Sequence, residues 1–166
     1  MRVGITRALR AYGATLNQLK WAILTVAAVL ALAFVMNTSG QTVTLGLWLA
    51  GAGSIFAFLS AFIGWLGVAV TGSDTSSNSL FGALQVAADK NAGLSPSLMA
   101  AANSSGGVLG KMISPQNLAI GAAAVGMAGR EGDIFRAVLK WSLLLVVVMA
   151  ALVYLQSTAV LSWMLP

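Results

Sequence analysis

The sequence contains no cysteine and no histidine. Their absence excludes disulfide frameworks, thiol nucleophiles, zinc sites with cysteine or histidine ligands, and catalytic triads that use imidazole as a base. An intramembrane aspartyl protease would need two facing carboxylates. Among the acidic residues, only Asp74 lies well inside the apolar part of the sequence. We therefore expect neither an enzyme, nor a metal site, nor a cofactor.

Charged residues are also scarce, at 8% of the chain, whereas an ordinary soluble domain carries about 25%. Apolar residues make up 58% of the 166 positions, and the mean hydropathy is +0.89. The stretch from Trp21 to Ser73 has no charge at all. So few ionic groups could not cover the surface of a soluble domain, and the net charge of +5 is a poor argument for nucleic-acid binding. The composition predicts an all-α integral membrane protein, a multi-spanning helical bundle in the lipid bilayer.

Residues 1–20 form a basic N-terminal segment without an acidic partner. Its cations are Arg2, Arg7, Arg10 and Lys20, and apolar residues recur at helical spacing at Ile5, Leu9, Tyr12, Leu16 and Leu19. This pattern is typical of an amphipathic helix that lies on a membrane surface. An unstructured basic leader is the alternative.

The remaining residues, 21–166, form the predicted transmembrane domain. Spans are expected near 21–39, 43–70, 97–129 and 141–165. The second is interrupted by glycines and is either one tilted span or two short limbs. Small residues four apart, Gly106 with Gly110 and Ala122 with Gly126, would allow helix backbones to approach closely.

Positive loops indicate the orientation of the chain, because basic residues on short loops tend to stay in the cytoplasm. Residues 1–20 and the loop from Arg130 to Lys140 carry a positive excess. Both are predicted to be cytoplasmic, and the C-terminus is predicted to be periplasmic. This arrangement requires that one of the two middle regions enters and leaves the membrane on the same side, as a re-entrant hairpin or an interrupted helix.

A first polar segment, TGSDTSSN at 71–78, follows directly on a long apolar run. Serine, threonine, asparagine and aspartate compete with a helix for backbone hydrogen bonds, so we expect the helix to break here. At membrane depth a broken backbone must be buried in protein or must line a water-filled cavity. An ordinary polar loop at the membrane surface is the alternative.

A second polar segment covers residues 103–117 and contains the glycine pair Gly106 and Gly107, the cation Lys111, and Pro115. Proline removes a helical donor, and the glycines are expected to permit turns that expose N–H groups to an anion. A lysine at the centre of a bilayer costs about 2.5–3.5 kcal/mol on insertion scales, so Lys111 is a candidate functional residue. A lysine that snorkels from a helix end to the interface is the alternative.

Two interrupted, hydroxyl-rich segments are typical of transporters in which broken helices meet near the middle of the membrane. The pattern suggests a small anionic ligand. Lys111, serine hydroxyls and the N–H groups of Gly106 and Gly107 could hold a carboxylate, and Asp74 could carry a proton or help to hold a cation.

Longer motifs point to one family. The sequences TGSDTSSNSLFGALQ at 71–85 and AANSSGGVLGKMISPQNLAIG at 101–121 closely resemble the C-terminal signature regions of the L-lactate permease family. The similarity continues through GREGDIFRAVLKWS at 129–142 and the terminal LSWMLP. The resemblance implies a multi-pass symporter of the cell inner membrane that imports lactate, and often glycolate, together with protons.

The same resemblance implies two groups of residues that would line the transport site from opposite sides. The first comprises Ser73, Asp74, Thr75, Ser76, Ser77 and Asn78, and the second Asn103, Ser104, Ser105, Gly106, Gly107, Lys111, Ser114 and Gln116.

Members of this family are several times longer than 166 residues, so the chain resembles half of an inverted-repeat transporter. It would then be a C-terminal fragment, one piece of a split permease that needs an N-terminal half or a second copy of itself, a pseudogene product, or a short protein with another role. A small structural or assembly protein of the membrane without transport of its own is the competing hypothesis.

Overall fold

The computed structural model describes residues 4–165, and the side chains at positions 18, 19, 21, 22, 25, 26 and 89–91 lie outside the description. Residues 1–3 of the predicted basic segment and Pro166 at the predicted periplasmic end are therefore not covered. The regular secondary structure of the described range is helical, which confirms the all-α prediction. Its α-helices are α1 (Ile5–Thr38), α2 (Gln41–Ala50), α3 (Ile55–Thr71), α4 (Asp74–Ser77), α5 (Ala83–Ala92), α6 (Pro96–Gly110), α7 (Pro115–Ala124) and α8 (Glu131–Gln156). A π-helical turn (Asn78–Gly82) joins α4 to α5, and 3-10 turns cover Lys111–Ile113 and Ser162–Met164.

The first helix differs from the predicted organisation. α1 continues across residue 20, where the sequence suggested a boundary between a surface segment and a span. No proline interrupts this region, and its many alanines and leucines favour a helix. The basic side chains of Arg7 and Arg10 are exposed. The placement of this end on a membrane surface stays a prediction.

Glycine sets the two turns that follow α1. Gly40 adopts the left-handed conformation (φ 79°), and the axis turns by 75° between Ala27–Thr38 and α2. Gly53 (φ 58°) lies in the turn between α2 and α3. The predicted region 43–70 therefore contains two helices, α2 and α3, separated by a turn, and the way in which they cross a membrane stays a prediction.

The centre of the fold is the crossing of α3 and α6. A Cβ atom added at Gly106 would overlap the Ala61 carbonyl oxygen, and one at Gly110 would overlap the carbonyl oxygen of Trp65. Because both contacts advance by four residues in the same direction, the two helices run parallel. The close approach predicted for the Gly106 and Gly110 pair is confirmed.

The second small-residue pair behaves differently. α7 ends at Ala124, and Gly126 lies beyond it in a turn with φ 72°. A left-handed glycine after a helix is a common way to end it. Ala122 is buried, but a Cβ at Gly126 would meet nothing within 4 Å. The prediction that this pair brings helix backbones together is wrong.

α8 packs against the crossing from the side. Phe56, Met99 and Val153 belong to one buried cluster, which joins α3, α6 and α8. The indole N–H of Trp65 on α3 donates to the Ser142 hydroxyl on α8 at 2.8 Å. That hydroxyl donates in turn to the Leu109 carbonyl on α6 at 2.7 Å. One serine thus ties the three helices together.

The lengths of the helices bear on membrane crossing. Within the described residues, α8 is the one helix that is long and apolar enough to span a bilayer. The bent pair Ala27–Thr38 and α2 would add a second span if it is counted as one, while α3 is apolar but shorter. α8 begins at Glu131 and ends at Gln156, earlier than the span predicted at 141–165. Glu131 and Asp133 lie in its first turn, where acidic side chains stabilise a helix, so the charged loop became part of the helix.

Candidate functional site

The first predicted break is present, and it covers Gly72 and Ser73. α3 ends at Thr71, Gly72 adopts φ 70°, and Ser73 is extended with φ −135°. The Ser73 hydroxyl accepts a hydrogen bond from the Ser76 N–H at 3.3 Å and caps α4. The residues from Asp74 onward are helical, which argues against the alternative of an ordinary polar loop over the whole segment. Asp74 occupies the first turn of this new helix.

The second break lies between α6 and α7. The 3-10 turn at Lys111–Ile113 ends in Ser114, which is extended with ψ 139° and precedes Pro115. A residue before proline is disfavoured in the helical region, which explains the interruption. The Lys111 carbonyl accepts hydrogen bonds from the Ser114 hydroxyl at 3.0 Å and from the Asn117 side chain at 3.0 Å.

The two breaks lie next to each other. The Gln116 side-chain amide, in the first turn of α7, donates to the Thr71 carbonyl at 3.4 Å. A Cβ at Gly72 would lie 2.6 Å from the Gln116 Oε1 atom. The two interrupted helices therefore meet at this contact, while its position near the middle of a membrane stays a prediction.

A polar cluster forms where α4, the π-helical turn and α6 meet. The Asn78 amide nitrogen donates to Asp74 Oδ2 at 3.1 Å and to the Ser104 hydroxyl at 2.9 Å. The Asn103 amide nitrogen donates to Asn78 Oδ1 at 2.6 Å. Ser104 also lies 3.2 Å from that oxygen. The structure thus brings together four of the predicted site residues, two from each polar segment.

Two further members of this cluster, Gln85 and Ser60, were not predicted from the sequence. Gln85, which is fully buried, donates to Asn103 Oδ1 at 2.6 Å and to the Ser60 carbonyl at 3.2 Å. Gln85 lies seven residues after Asn78, a spacing that returns to the same helix face. That spacing was the available signal. No local pattern marks Ser60, which lies in an apolar helix.

Several buried oxygen atoms near the cluster have no hydrogen-bond partner within the described residues. They are Asp74 Oδ1, the hydroxyl oxygens of Ser60 and Ser77, and Gln85 Oε1. Asp74 Oδ1 faces Gly107, since a Cβ there would lie 2.5 Å from it. Burial of an unsatisfied polar atom costs about 1–3 kcal/mol, and such atoms are often retained where a ligand or a proton must bind.

The glycines play another role than the one expected. Gly106 and Gly107 lie inside α6, so their N–H groups are not displayed at a break to hold an anion. The prediction of an exposed glycine cluster is wrong, because helix packing uses both residues to bring α3 and Asp74 close.

The other predicted site residues point to different places. Ser105 lines a separate cavity of about 410 Å³ between α6 and α8, away from its neighbour Ser104. Thr75 is exposed, whereas Ser76 and Ser77 are buried. Ser77 packs against Gly67 of α3. Of the predicted residues, Ser73, Ser114 and Gln116 belong to the breaks rather than to the polar cluster.

Lys111 directly follows α6, one helical turn after Gly107, and its side chain is exposed. Among the described residues, the ion pairs join Asp133 to Arg130 and to Arg136, and they do not include Lys111. Its ammonium group thus has no ionic partner among the described residues and lies one helical turn beyond Gly107, the glycine that Asp74 Oδ1 faces.

Comparison with known families identifies the family of the chain. The family model described as L-lactate permease matches residues 1–160. The chain belongs to the L-lactate permease family. The membership predicted from the two motifs is thereby confirmed, and it implies a membrane location.

Individual permeases support the assignment. The chain is 53% identical to the L-lactate permease of Bacillus subtilis (strain 168), over 92% of the chain and 27% of the relative. It is 52% identical to the glycolate permease GlcA of Escherichia coli (strain K12), over 93% of the chain and 28% of the relative. Identity to the L-lactate permease of the same strain is 50%, over 96% and 29%.

The chain thus spans less than a third of the length of the curated permeases that it matches. No solved structure is significantly similar to it.

Proposed function

We propose that this chain forms part of a carrier that moves L-lactate, and also glycolate, across the cell inner membrane together with protons. The observation that carries the proposal is the identity of 50–53% to proteins named L-lactate permease and glycolate permease, over more than nine-tenths of the chain. Both named substrates are small 2-hydroxy monocarboxylates. A site for them needs a cation for the carboxylate and hydrogen-bonding groups for the alcohol.

Lys111 supplies the cation in this proposal. It lies at the mouth of the second break, one turn from Gly107, and Gly107 packs on Asp74. A lactate carboxylate drawn to the ammonium group would arrive beside the polar cluster. Asn78, which is half-buried there beside Ser104, can accept a hydrogen bond from the substrate hydroxyl.

Asp74 couples proton binding to lactate binding in this proposal. One of its carboxylate oxygens accepts from Asn78, while the other is buried without a partner in the described structure. A proton on the second oxygen would remove the negative charge that opposes entry of an anion. Binding of a proton and binding of lactate would then favour each other, which is what symport requires.

This chain forms only part of the transport pathway in this proposal. We propose that a permease half absent from this chain, or a second copy of the chain, faces the two breaks and closes the site. The N-terminal end is assigned to the cytoplasm and the C-terminal end to the periplasm, on the basis of the basic residues at 7, 10, 130, 136 and 140.

Two adjacent serines provide a test. Ser104 contacts Asn78, whereas Ser105 lines the separate cavity beside α8. In this cysteine-free chain, Ser104→Cys and Ser105→Cys each place one thiol on the same helix. We expect lactate, at constant ionic strength, to slow the reaction of a soluble thiol reagent with Ser104→Cys but not with Ser105→Cys, in reconstituted vesicles.

Counterflow of labelled lactate in the same vesicles completes the test, with Asp74→Asn as the variant expected to lose proton dependence. If lactate protects neither thiol, the chain has no lactate site, and the structural or assembly role becomes the better description. Equal protection of both thiols would contradict the assignment of the site to the Asp74 side of α6.

A further inference from the structure

Gln85 belongs to the polar cluster, although the proposed function gives it no contact with the substrate. Its side chain is fully buried between α3 and α6. Both of its donated hydrogen bonds start from the same atom, Nε2, and end on Asn103 Oδ1 and on the Ser60 carbonyl oxygen. Its own Oε1 has no partner among the described residues.

The Ser60 carbonyl determines which way the Gln85 amide is turned. A backbone carbonyl oxygen can only accept a hydrogen bond, so the amide nitrogen of Gln85 must face it. The reverse orientation would place two acceptor oxygens 3.2 Å apart in a buried site. The same nitrogen has a second hydrogen, which then points to Asn103.

The orientation is passed from one amide to the next. Because Asn103 accepts from Gln85 through its oxygen, its nitrogen faces Asn78 and donates to Oδ1 at 2.6 Å. Because Asn78 accepts there through its oxygen, its nitrogen faces Asp74 and donates to Oδ2 at 3.1 Å. The series begins and ends on an acceptor, the Ser60 carbonyl and the Asp74 carboxylate. Gln85 is the group whose two hydrogens make this possible.

Ser104 cannot by itself fix the orientation of the Asn78 side-chain amide. Its hydroxyl lies 2.9 Å from the Asn78 nitrogen and 3.2 Å from the Asn78 oxygen. A hydroxyl can donate or accept, so Ser104 suits either orientation of Asn78.

We propose that Gln85 is a positioning residue that acts through Asn103 and Asn78, and that it keeps an N–H group directed at Asp74. Its effect on lactate rests on the proposed function, whereas its effect on the orientation of Asn78 does not. Gln85 touches neither Asp74 nor Asn78 directly through a hydrogen bond. Its influence on them must therefore pass along the amides.

The test uses substitutions that remove donors in steps. Gln85→Leu leaves no donor hydrogen at this position, and Gln85→Glu, which keeps the shape, leaves at most one. Gln156→Leu is the matched control, because Gln156 lines the separate cavity beside α8. The readout is the nuclear magnetic resonance signal of the Asn78 side-chain NH₂ group in the full chain, labelled with nitrogen-15 and reconstituted in nanodiscs.

We expect the Asn78 signal to shift in both Gln85 variants and to stay in place in Gln156→Leu. An unchanged Asn78 signal in a folded Gln85→Leu protein would overturn the proposal. If Gln85→Leu does not fold, the shape-preserving Gln85→Glu decides by the same criterion.

A second readout connects the orientation to the ligand. In the Ser104→Cys background, we expect Gln85→Leu to raise the lactate concentration for half-protection by about tenfold. Absence of lactate protection with Gln85 intact would refute the proposed function while the Asn78 signal still tests the positioning role. If lactate protects the thiol at position 104 equally well with glutamine and with leucine at position 85, Gln85 has no effect on lactate binding, and this part of the proposal is refuted.

Discussion

Gly106 on α6 lies directly against the backbone carbonyl of Ala61 on α3, so closely that an added methyl group would overlap the carbonyl oxygen. Gly64 makes the reciprocal contact, with the Asn103 carbonyl of α6. Backbone atoms cannot move aside as a flexible side chain can. The glycines therefore set the distance between the helices that carry Ser60 and Asn103.

Gly106→Ala is predicted to destabilise the protein. Forcing an extra methyl group into a packed interface costs about 1–3 kcal/mol, and we expect the thermal unfolding midpoint in detergent to fall by roughly 2–10 °C. The control is Gly121→Ala, because a Cβ at this helical glycine would meet nothing within 4 Å. There, alanine should stabilise α7 by about 0.5–1 kcal/mol. Equal effects of the two substitutions would show that α3 and α6 do not pack as described.

Gly107→Ala is predicted to affect the site more than the fold. Its new Cβ would lie 2.5 Å from Asp74 Oδ1, a side-chain atom that can rotate away, and 2.7 Å from a methyl group of the buried Val68. We expect a folded protein in which the Asp74 carboxylate is displaced. The measurement is lactate protection of Ser104→Cys, which should be lost in Gly107→Ala and retained in Gly121→Ala. Retained lactate protection in both glycine variants would show that Asp74 is not part of the lactate site.

Ser142→Ala is predicted to loosen the contact between α3, α6 and α8. The Trp65 indole N–H would lose its acceptor and the Leu109 carbonyl would lose a donor. An unsatisfied buried group costs about 1–3 kcal/mol, which the unfolding midpoint reports. Ser157→Ala is the control, since Ser157 donates only locally to the Tyr154 carbonyl on the same helix. We expect this control to change stability by less than about 0.5 kcal/mol, and a similar loss in both variants would argue against the three-helix tie.

Lys111→Gln is predicted to weaken lactate binding without loss of stability, because the side chain is exposed. Loss of a hydrogen bond to a charged group costs about 1.5–3 kcal/mol, so the lactate concentration for half-maximal counterflow should rise by roughly tenfold to a hundredfold. Lys140→Gln is the control, because Lys140 lies over the Trp141 ring, 5.7 Å from its centroid, on α8. Unchanged counterflow in Lys111→Gln, or an equal change in Lys140→Gln, would refute the role given to Lys111.

The positions of the two breaks could be predicted from the sequence because they depend on local chemistry. Gly72 and Ser73 end one helix and cap the next, while Pro115 disfavours the helical conformation at Ser114 and begins α7. The extent of the breaks could not be predicted in this way. The residues from Asp74 to Asn78 are helical although such side chains compete for backbone hydrogen bonds. The Asp74 and Asn78 side chains bond each other, and Asn78 also bonds Ser104 of α6.

Composition and motifs by themselves determined that the chain is helical and apolar, that it lacks thiol and imidazole chemistry, and that it belongs to its family. The tertiary structure alone decided which polar side chains meet. Ser104 and Ser105 are identical in type and adjacent in sequence, yet a rotation of about 100° per helical residue sends them to different neighbours. Gln85 lies in the cluster for the same reason: contacts between glycines and carbonyls far apart in sequence match the helix faces, and no local pattern marks the partner carbonyls.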